Sequence, residues 1–497
     1  MKFKIKEVKL SSGGPLIGIL NNEDSTKLDL RALDRIKVKK DSREQVIAID
    51  VAKSKRNISP GELGLFDEVM DILKLKNKDI VEISVEPKPL SLDFIKKKLD
   101  GTTLDKMEID EIVKDIVENK LTEIEITYFV SACYRNGMSI YESAYLTEAI
   151  VAHGKRLNFK TYPILDKHSL GGVPGNRVTM ILVPIIAAAG YIIPKTSTRS
   201  ITSCSGTSDT MEVLAPVEFH VDEIKKIVRK TKGAMVWGGV LELASADDKL
   251  IKIEKVLSLD PEGILLASIL AKKNAVGATH VVLDMPIGKE CKLKHKKDAR
   301  RLKRKFELLG KLLGINIKAV ITDGSQPIGF GMGPALEARD VLYLLQNNKE
   351  KMPKDLRKKA ILMATTLLQM VGVKNAGKKV VDILDSGKAY TKMKEIIAAQ
   401  GGNPKIQPEQ IKIGKFRYCA KAKQEGSVKE ISNKYLTKIA KAAGAPTDKG
   451  AGIYINVKLN DKVKQGQNLF TIFAEDKKKL EFAIKIYNNS KVVNVEK

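Results

Sequence analysis

Cysteine is nearly absent from this chain of 497 residues. The four that occur, Cys133, Cys204, Cys291 and Cys419, stand far apart and form no Cys-x-x-Cys pair. That spacing excludes a disulfide framework and a cysteine zinc site as the basis of the fold, and reduced, incidental thiols are expected. Tryptophan occurs once, and Phe and Tyr twelve times each, so few rings are available to stack on nucleic-acid bases. Long apolar runs are missing as well. The longest, Met180 to Pro194, is broken by two prolines and a glycine and falls short of the ~20 residues a membrane span requires. The first ten residues, MKFKIKEVKL, alternate Lys with Phe, Ile and Val as a strand does and lack the apolar core of a secretory signal. A cytoplasmic location is the expectation. Acidic residues are in deficit, 60 against 87 Lys and Arg, which leaves a net charge of +27 and a pI near 9.6. Such a balance ordinarily points to nucleic acid. Here the lysines are spread along the whole chain, which reads as a solvated, lysine-rich surface of the thermophilic kind that also attracts anionic substrates. Neither a nucleic-acid nor a membrane partner is expected.

What the chain does contain is enough apolar sequence, 43%, for several cores, and its length suggests about three domains. Residues 1–86 alternate short β-like runs, Phe3 to Val8, Leu16 to Leu20, Gln45 to Val51 and Ile80 to Val85, with Gly and Asn turns; Pro60 to Leu75 reads as helix. Pro87 and Pro89 mark a boundary. Residues 87–158 have helical periodicity, with 260–277 expected to pack on them. Residues 159–405 carry strands between helices. Residues 406–497 read as strands, including Leu480 to Tyr487, around a helix at Asn433 to Ala443. The expected fold is therefore a multidomain α/β and α+β protein: an N-terminal β-rich domain, a helical lobe, a mixed α/β lobe that binds phosphate, and a C-terminal α+β domain.

Two loops in the third segment carry chemistry. Ile164 and Leu165 end an apolar run, and Asp166, Lys167, His168 and Ser169 lead into Gly171, Gly172 and Gly175. Asn176 is placed to cap a helix from Arg177 to Ala189, closed by Gly190. After a strand at Tyr191 to Ile193, the stretch Lys195 to Thr207 supplies hydroxyls and cations, and Ser208 or Asp209 is placed to cap the next helix. Free N–H groups and the peptide dipoles at helix starts hold anions. One Gly-rich loop is an ordinary tight turn; two in tandem, each with phosphate-type side chains and each following a strand, point to phosphate binding at one edge of an α/β sheet.

At these residues a resemblance appears. Lys167-His168-Ser169-x-Gly171-Gly172-Val173, then Thr198-Arg199-Ser200-Ile201-Thr202-Ser203, then Gly206-Thr207-Ser208-Asp209-x-x-Glu212-x-Leu214 resemble the nucleoside phosphorylase II family, the thymidine and pyrimidine nucleoside phosphorylases, and in particular its archaeal branch that cleaves AMP. Gln326-Pro327-Ile328-Gly329 with Gly331-x-Gly333-x-x-Leu336-Glu337, and Asp461-Lys462-Val463-x-x-Gly466-x-x-Leu469, extend it over nearly the whole chain. The resemblance assigns phosphate to Lys167, Ser169, Thr179, Ser197 and Thr207. It assigns the nucleotide to Gly172, Thr198, Arg199, Ser200, Ile201, Thr202, Ser203, Thr207, Ser268, Lys272 and Lys292, with Lys289 or Lys294 as alternatives to Lys292. His168 either contacts the ligand or holds its loop.

Two positions carry the reaction and its selectivity. Asp260, before Pro261-Glu262-Gly263, reads from the residues alone as a routine helix cap; the resemblance makes it the general acid. Ser268 and Lys272, four apart, share one helix face. Pyrimidine phosphorylases carry an arginine where this chain has Ile253, which counts against a pyrimidine nucleoside as main substrate. What the resemblance implies is phosphorolysis of AMP to adenine and ribose 1,5-bisphosphate, with CMP and UMP as further candidates. No metal and no cofactor are implied, since inorganic phosphate is a co-substrate, and association into a homo-oligomer is expected. Two other enzymatic readings stay open: a pyrimidine nucleoside phosphorylase, and an anthranilate-type phosphoribosyltransferase. The latter needs Mg²⁺ on paired acidic residues, for which Asp247-Asp248 is the nearby candidate. A non-catalytic nucleic-acid-binding protein would instead show strongly salt-dependent binding.

Overall fold

The computed structural model describes residues 1–159, 162–200, 203–241, 244–257 and 259–496. The chain divides into two compact units, Met1–Gly154 with Ala244–Ala271, and Lys155–Leu243 with Lys272–Lys497. The segment that returns to the first unit thus starts before residue 260 and ends before 277.

In the first unit six strands, β1 (Lys2–Glu7), β2 (Ile17–Asn21), β3 (Arg35–Lys40), β4 (Arg43–Ala52), β5 (Glu62–Leu65) and β6 (Ile80–Glu86), close into a barrel in the order β1-β5-β2-β4-β3-β6. Inward residues Ile5, Leu20, Ile36, Ile47, Leu63 and Leu65 fill it, which is the two-residue alternation of a closed sheet. Two short helices, α1 (Asn22–Lys27) and α2 (Asp67–Leu73), lie between strands. The helix read over Pro60 to Leu75 is corrected by this topology. Glu62–Leu65 pairs with β1 on one side and β2 on the other, and Gly64 is so close to Ile58 that a Cβ there would sit 2.5 Å from its Cδ1. Tertiary pairing overrides local propensity here, and helix is left to Asp67–Leu73 alone.

The helical lobe comprises α3 (Ser91–Leu99), α4 (Lys106–Val117), α5 (Glu123–Asn136) and α6 (Ile140–Ala152). The last three start at capping boxes, Asp105 with Glu108, Thr122 with Glu125 and Ser139 with Glu142, each satisfying two otherwise unpaired N–H groups. Glu142 also forms a buried ion pair with Lys98 at 2.6 Å. The returning segment adds helices Ser245–Leu257 and Glu262–Ala275. Lys249 of the first donates to the Asn119 side chain at 2.6 Å, and a Cβ on Gly263 of the second would sit 2.5 Å from Met138 Cβ. Barrel and bundle are joined by Arg35, which donates to Lys120 O at 2.5 Å and pairs with Glu125.

The second unit begins with β7 (Leu165–Ser169), α7 (Val178–Ala188), β8 (Ile193–Ser197), α8 (Thr207–Met211), α9 (Val221–Thr231) and β9 (Gly233–Trp237). After the two returning helices, numbered α10 and α11, come β10 (His280–Ile287), α12 (Lys296–Leu312) and β11 (Asn316–Asp323). Strands β11-β10-β7 and β8-β9 are parallel sets, linked by a parallel bridge between Ile164 and Ile192, so their carboxyl ends share one edge. Helix α7 is buried on every side from Val178 to Ala187; such a helix belongs to the middle of a core. The remainder is β12 (Gly331–Met332), α13 (Pro334–Leu345), α14 (Lys354–Met370), α15 (Ala376–Asp385) and α16 (Lys388–Ala399).

In the C-terminal portion, strands Phe416–Lys421, Gly452–Ile455 and Asn468–Ala474 form one sheet with β12, and Gly426–Ile431, Lys462–Val463 and Val493–Glu496 form another. The strand read at Leu480 to Tyr487 is a helix, Lys477–Asn488. Asp476 caps it by accepting from Lys479 N at 3.0 Å, and its apolar residues Leu480, Ala483, Ile484 and Tyr487 recur at helical spacing and face the core. Among the described residues no helix is long and apolar enough to cross a membrane.

Candidate active site

The glycine-rich turn after β7 is shaped by backbone contact. Gly175 has φ +72°, and a Cβ there would lie 2.1 Å from Ile328 O. Gly172, at φ +88°, would place a Cβ 3.0 Å from Cys291 Cα and 3.5 Å from Lys292 N. The loop holding Lys292 therefore packs directly on the turn after β7. Lys289 goes elsewhere, pairing with Glu430 at 2.6 Å, while Lys292 and Lys294 are exposed. Of the three lysines the sequence left open, Lys292 is the one whose backbone abuts Gly172.

Asn176 does not cap α7 as its position suggested; Arg177 occupies the N-cap. The Asn176 amide instead donates to Asp284 at 3.0 Å. Arg177 is buried, pairs with Glu337, and donates to Ser205 O at 2.8 Å and to Thr207 Oγ1 at 3.3 Å. Thr207 opens α8, whose N-cap is Gly206, and Asp209, read as a capping candidate, sits three residues into the motif and accepts from Gly206 N at 2.8 Å and Ser200 N at 2.7 Å. Ser197, at the end of β8, meets Ser208 Oγ at 2.7 Å. Thr179 lies buried in the first turn of α7. Of the nucleotide-loop candidates, Thr198 is exposed, and Ser200 and Ser203 are half-buried, with the Ser200 hydroxyl donating to Ser203 O. Ile201 and Thr202 lie outside the described residues.

Arg199 is engaged by carboxylates. Its guanidinium donates to both oxygens of Glu212 at 2.8 and 2.7 Å and to Glu218 at 2.7 Å, and it lies 4.8 Å over the Trp237 ring. Glu212 also pairs with Lys449 of the C-terminal portion at 2.5 Å. Its bond from Arg199, aided by Lys449 and opposed by burial, holds its carboxyl down at about 2. These pairs tie the guanidinium to carboxylates at the end of α8 and past the turn that follows it.

Beneath the turn lie buried charged residues, among them Lys273, which the sequence did not single out, and Asp166 and Lys195, to which it gave no role. Asp166 is fully buried and pairs with Lys273 at 2.5 Å and Lys195 at 3.4 Å. Burial opposes its ionisation, but Lys195 and Lys273 overcome that, so its carboxyl stays below the ordinary range. Lys195 pays for its burial with a pKa near 7, although Asp166 pulls the other way. Lys167 is likewise pushed down to about 8 by burial, which Asp284 opposes and Lys359 and Arg177 reinforce. His168 is held well below its usual value by burial and by Lys273, Lys195, Lys167 and Lys272, which keeps its imidazole neutral. In sequence Lys273 stands 107 residues from Asp166 and Lys195 stands 29 from it, while Lys359 stands 75 from Asp284.

Asp260 and Ser268 belong to the first unit and Lys272 to the second, the division falling within α11. Asp260 is exposed rather than enclosed. Ser268 is buried, Lys272 is half-buried, and Ile253 is buried on α10. Among the described residues no group of three His, Cys, Asp or Glu is arranged to hold a metal ion.

Residues 92–154 match the helical bundle domain of a glycosyl transferase family, 161–390 the a/b domain of that family, and 427–493 the pyrimidine nucleoside phosphorylase C-terminal domain. The chain is 46% identical over 499 residues to the AMP phosphorylase of Thermococcus kodakarensis, covering 100% of this chain and 98% of that one. It is 44% identical over 495 residues to the AMP phosphorylase of Thermofilum pendens, covering 100% and 95%. The chain belongs to the AMP phosphorylase family. Among solved structures, the anthranilate phosphoribosyltransferase of Thermus thermophilus matches with a TM-score of 0.50 at 18% identity, covering 62% of this chain and 99% of that one. The chain thus shares a fold with that enzyme over 62% of its length.

Proposed function

We propose that the protein catalyses the phosphorolysis of AMP, giving adenine and ribose 1,5-bisphosphate. The observation that carries this reading is full-length identity above 40% to AMP phosphorylases, together with a cationic, hydroxyl-lined turn built from β7, α7 and α8. In this reading inorganic phosphate is held by Lys167, Ser169, Thr179, Ser197 and Thr207. One of its oxygens attacks the anomeric carbon as the bond to the base breaks. The electron pair of that bond passes to the base, and Asp260 gives a proton to the purine imidazole ring so that adenine leaves neutral. The 5'-phosphate is taken by the hydroxyl-rich stretch Thr198 to Ser203 with Arg199 and Lys292, while Gly172, Thr207, Ser268 and Lys272 bind the rest of the nucleotide. Glu212 holds the Arg199 side chain within that loop. Its neutral ring makes His168 a hydrogen-bonding group rather than a second cation.

No metal or organic cofactor enters the scheme, the protein works as a homo-oligomer in the cytoplasm, and neither nucleic acid nor membrane is a partner. The test is to incubate purified protein with phosphate and AMP, CMP, UMP, adenosine or thymidine, and to follow free base by chromatography. Phosphate-dependent adenine release from AMP and not from adenosine supports the reading. Thymine release from thymidine with no AMP turnover would replace it with a pyrimidine enzyme despite Ile253.

A further inference from the structure

Asp284, near the middle of β10, is completely buried, and it stands outside every motif that pointed to the site. Its Oδ2 accepts from Ser169 Oγ at 2.9 Å and from Asn176 Nδ2 at 3.0 Å, and lies 2.8 Å from Lys359 Nζ of α14. Its Oδ1 accepts from Thr322 Oγ1 of β11 at 2.6 Å. The backbone joins in, Leu170 N donating to Asp284 O at 3.0 Å, and Asn176 closes the ring by donating to Ser169 Oγ at 3.4 Å. One carboxylate thus connects the end of β7, the turn that follows it, β11 and α14.

We propose that Asp284 is a positioning residue for the phosphate co-substrate, fixing the Ser169 hydroxyl and the turn behind it while balancing the buried charges of Lys359 and Lys167. This rests on the phosphorolysis reading given above. A buried carboxylate is costly unless its lone pairs are filled and its charge is matched, and here both conditions are met by groups that converge on one loop. A hydroxyl tied to a fixed carboxylate keeps one orientation before ligand arrives, so less ordering remains to be done on binding. The same carboxylate faces Lys167, which also feels Lys359 of α14, Arg177 at the start of α7 and Asp166 of β7. Of these, Asp284 exerts the strongest pull toward the protonated form, against a burial effect that brings the ammonium down to about 8.

The experiment compares the parent with Asp284→Asn and Thr322→Val. Calorimetric titration with inorganic phosphate gives Kd, and steady-state kinetics between pH 6 and 9 give KM for each substrate. The expected result is a rise of about tenfold in Kd and KM for phosphate in Asp284→Asn and about threefold in Thr322→Val, with KM for AMP within about twofold of the parent. The alkaline fall of kcat/KM for phosphate should also move to lower pH in Asp284→Asn, because Lys167 loses its strongest attraction. Unchanged phosphate affinity in both variants, or losses shared equally between phosphate and AMP with an unshifted pH profile, would overturn the role. If Asp284→Asn does not fold, Thr322→Val decides alone: a parental Kd for phosphate refutes the proposal. A parent that binds phosphate but does not cleave AMP would sink the phosphorolysis reading, and the titrations would still report on Asp284.

Discussion

At the scale of single residues, the acid and the phosphate cation make separable claims. Asp260→Asn keeps a capping oxygen and removes the proton, so in the proposed scheme kcat for AMP falls by about 10² or more with KM little changed; turnover within about threefold of the parent would discard Asp260 as the acid. Lys167 answers to pH. With its ammonium brought down to about 8 by burial, phosphate affinity is full below that value and is lost as pH rises through it. Initial rates at subsaturating phosphate should therefore fall between about pH 8 and 9 while AMP binding, followed by titration calorimetry, does not. The stability effect has the opposite sign: an unfolded lysine stays protonated to its ordinary value of 10.5, so between about 8 and 10.5 the unfolded chain binds the extra proton and this group adds stability as pH rises. What the sequence displays at this scale is Lys167, Ser169 and Thr207, because those lie in short motifs. Asp166 and Asp284 escape it because a carboxylate's role is set by partners from distant strands and helices, and no local spacing records them.

At the scale of elements, α7 is legible because a continuous apolar run flanked by Gly signals a buried helix, whereas β5 is not. Glu62-Leu63-Gly64-Leu65 takes strand geometry from its two neighbours in the barrel wall. The helix Lys477–Asn488 fails for a related reason: its alternation of Lys with apolar residues is compatible with two periods, and the Asp476 cap decides between them. The turn after β7 supports a sharper expectation. Gly175→Ala forces a positive φ on a residue with a side chain and drives Cβ against Ile328 O. Such strain costs more than about 2 kcal/mol, so its melting temperature should fall by several degrees; a parental value would mean that the turn relaxes freely. The loop after β8 is held by the Arg199, Glu212 and Lys449 cluster, and a double-mutant cycle on Arg199→Ala and Glu212→Ala tests that. If Glu212 holds Arg199 in place, the two changes share one effect on KM for AMP and couple by about 0.5 kcal/mol or more. Full additivity would show that Arg199 meets the nucleotide without help from Glu212.

At the scale of the whole molecule, the net charge of +27 is distributed over the sequence, yet the fold concentrates part of it. Helix α12 buries Ala299, Leu302, Phe306 and Leu309 and leaves Lys296, Lys297, Arg300 and Arg304 exposed. It follows directly from the loop that carries Lys292, and because β10 and β11 are parallel, the start of α12 lies at the edge where the carboxyl ends of the strands meet. Exposed cations within about one Debye length, ~8–10 Å at physiological salt, raise the local concentration of an anionic substrate. Replacing Lys296, Lys297, Arg300 and Arg304 with Gln touches no residue assigned to phosphate or nucleotide. If α12 guides AMP and phosphate to the site, kcat/KM for AMP in low-salt buffer falls by about threefold to tenfold in that variant. The difference shrinks as salt rises toward about 0.5 M, where screening removes it from the parent as well. Equal kcat/KM at every salt concentration would show instead that the charge on this helix serves solvation alone.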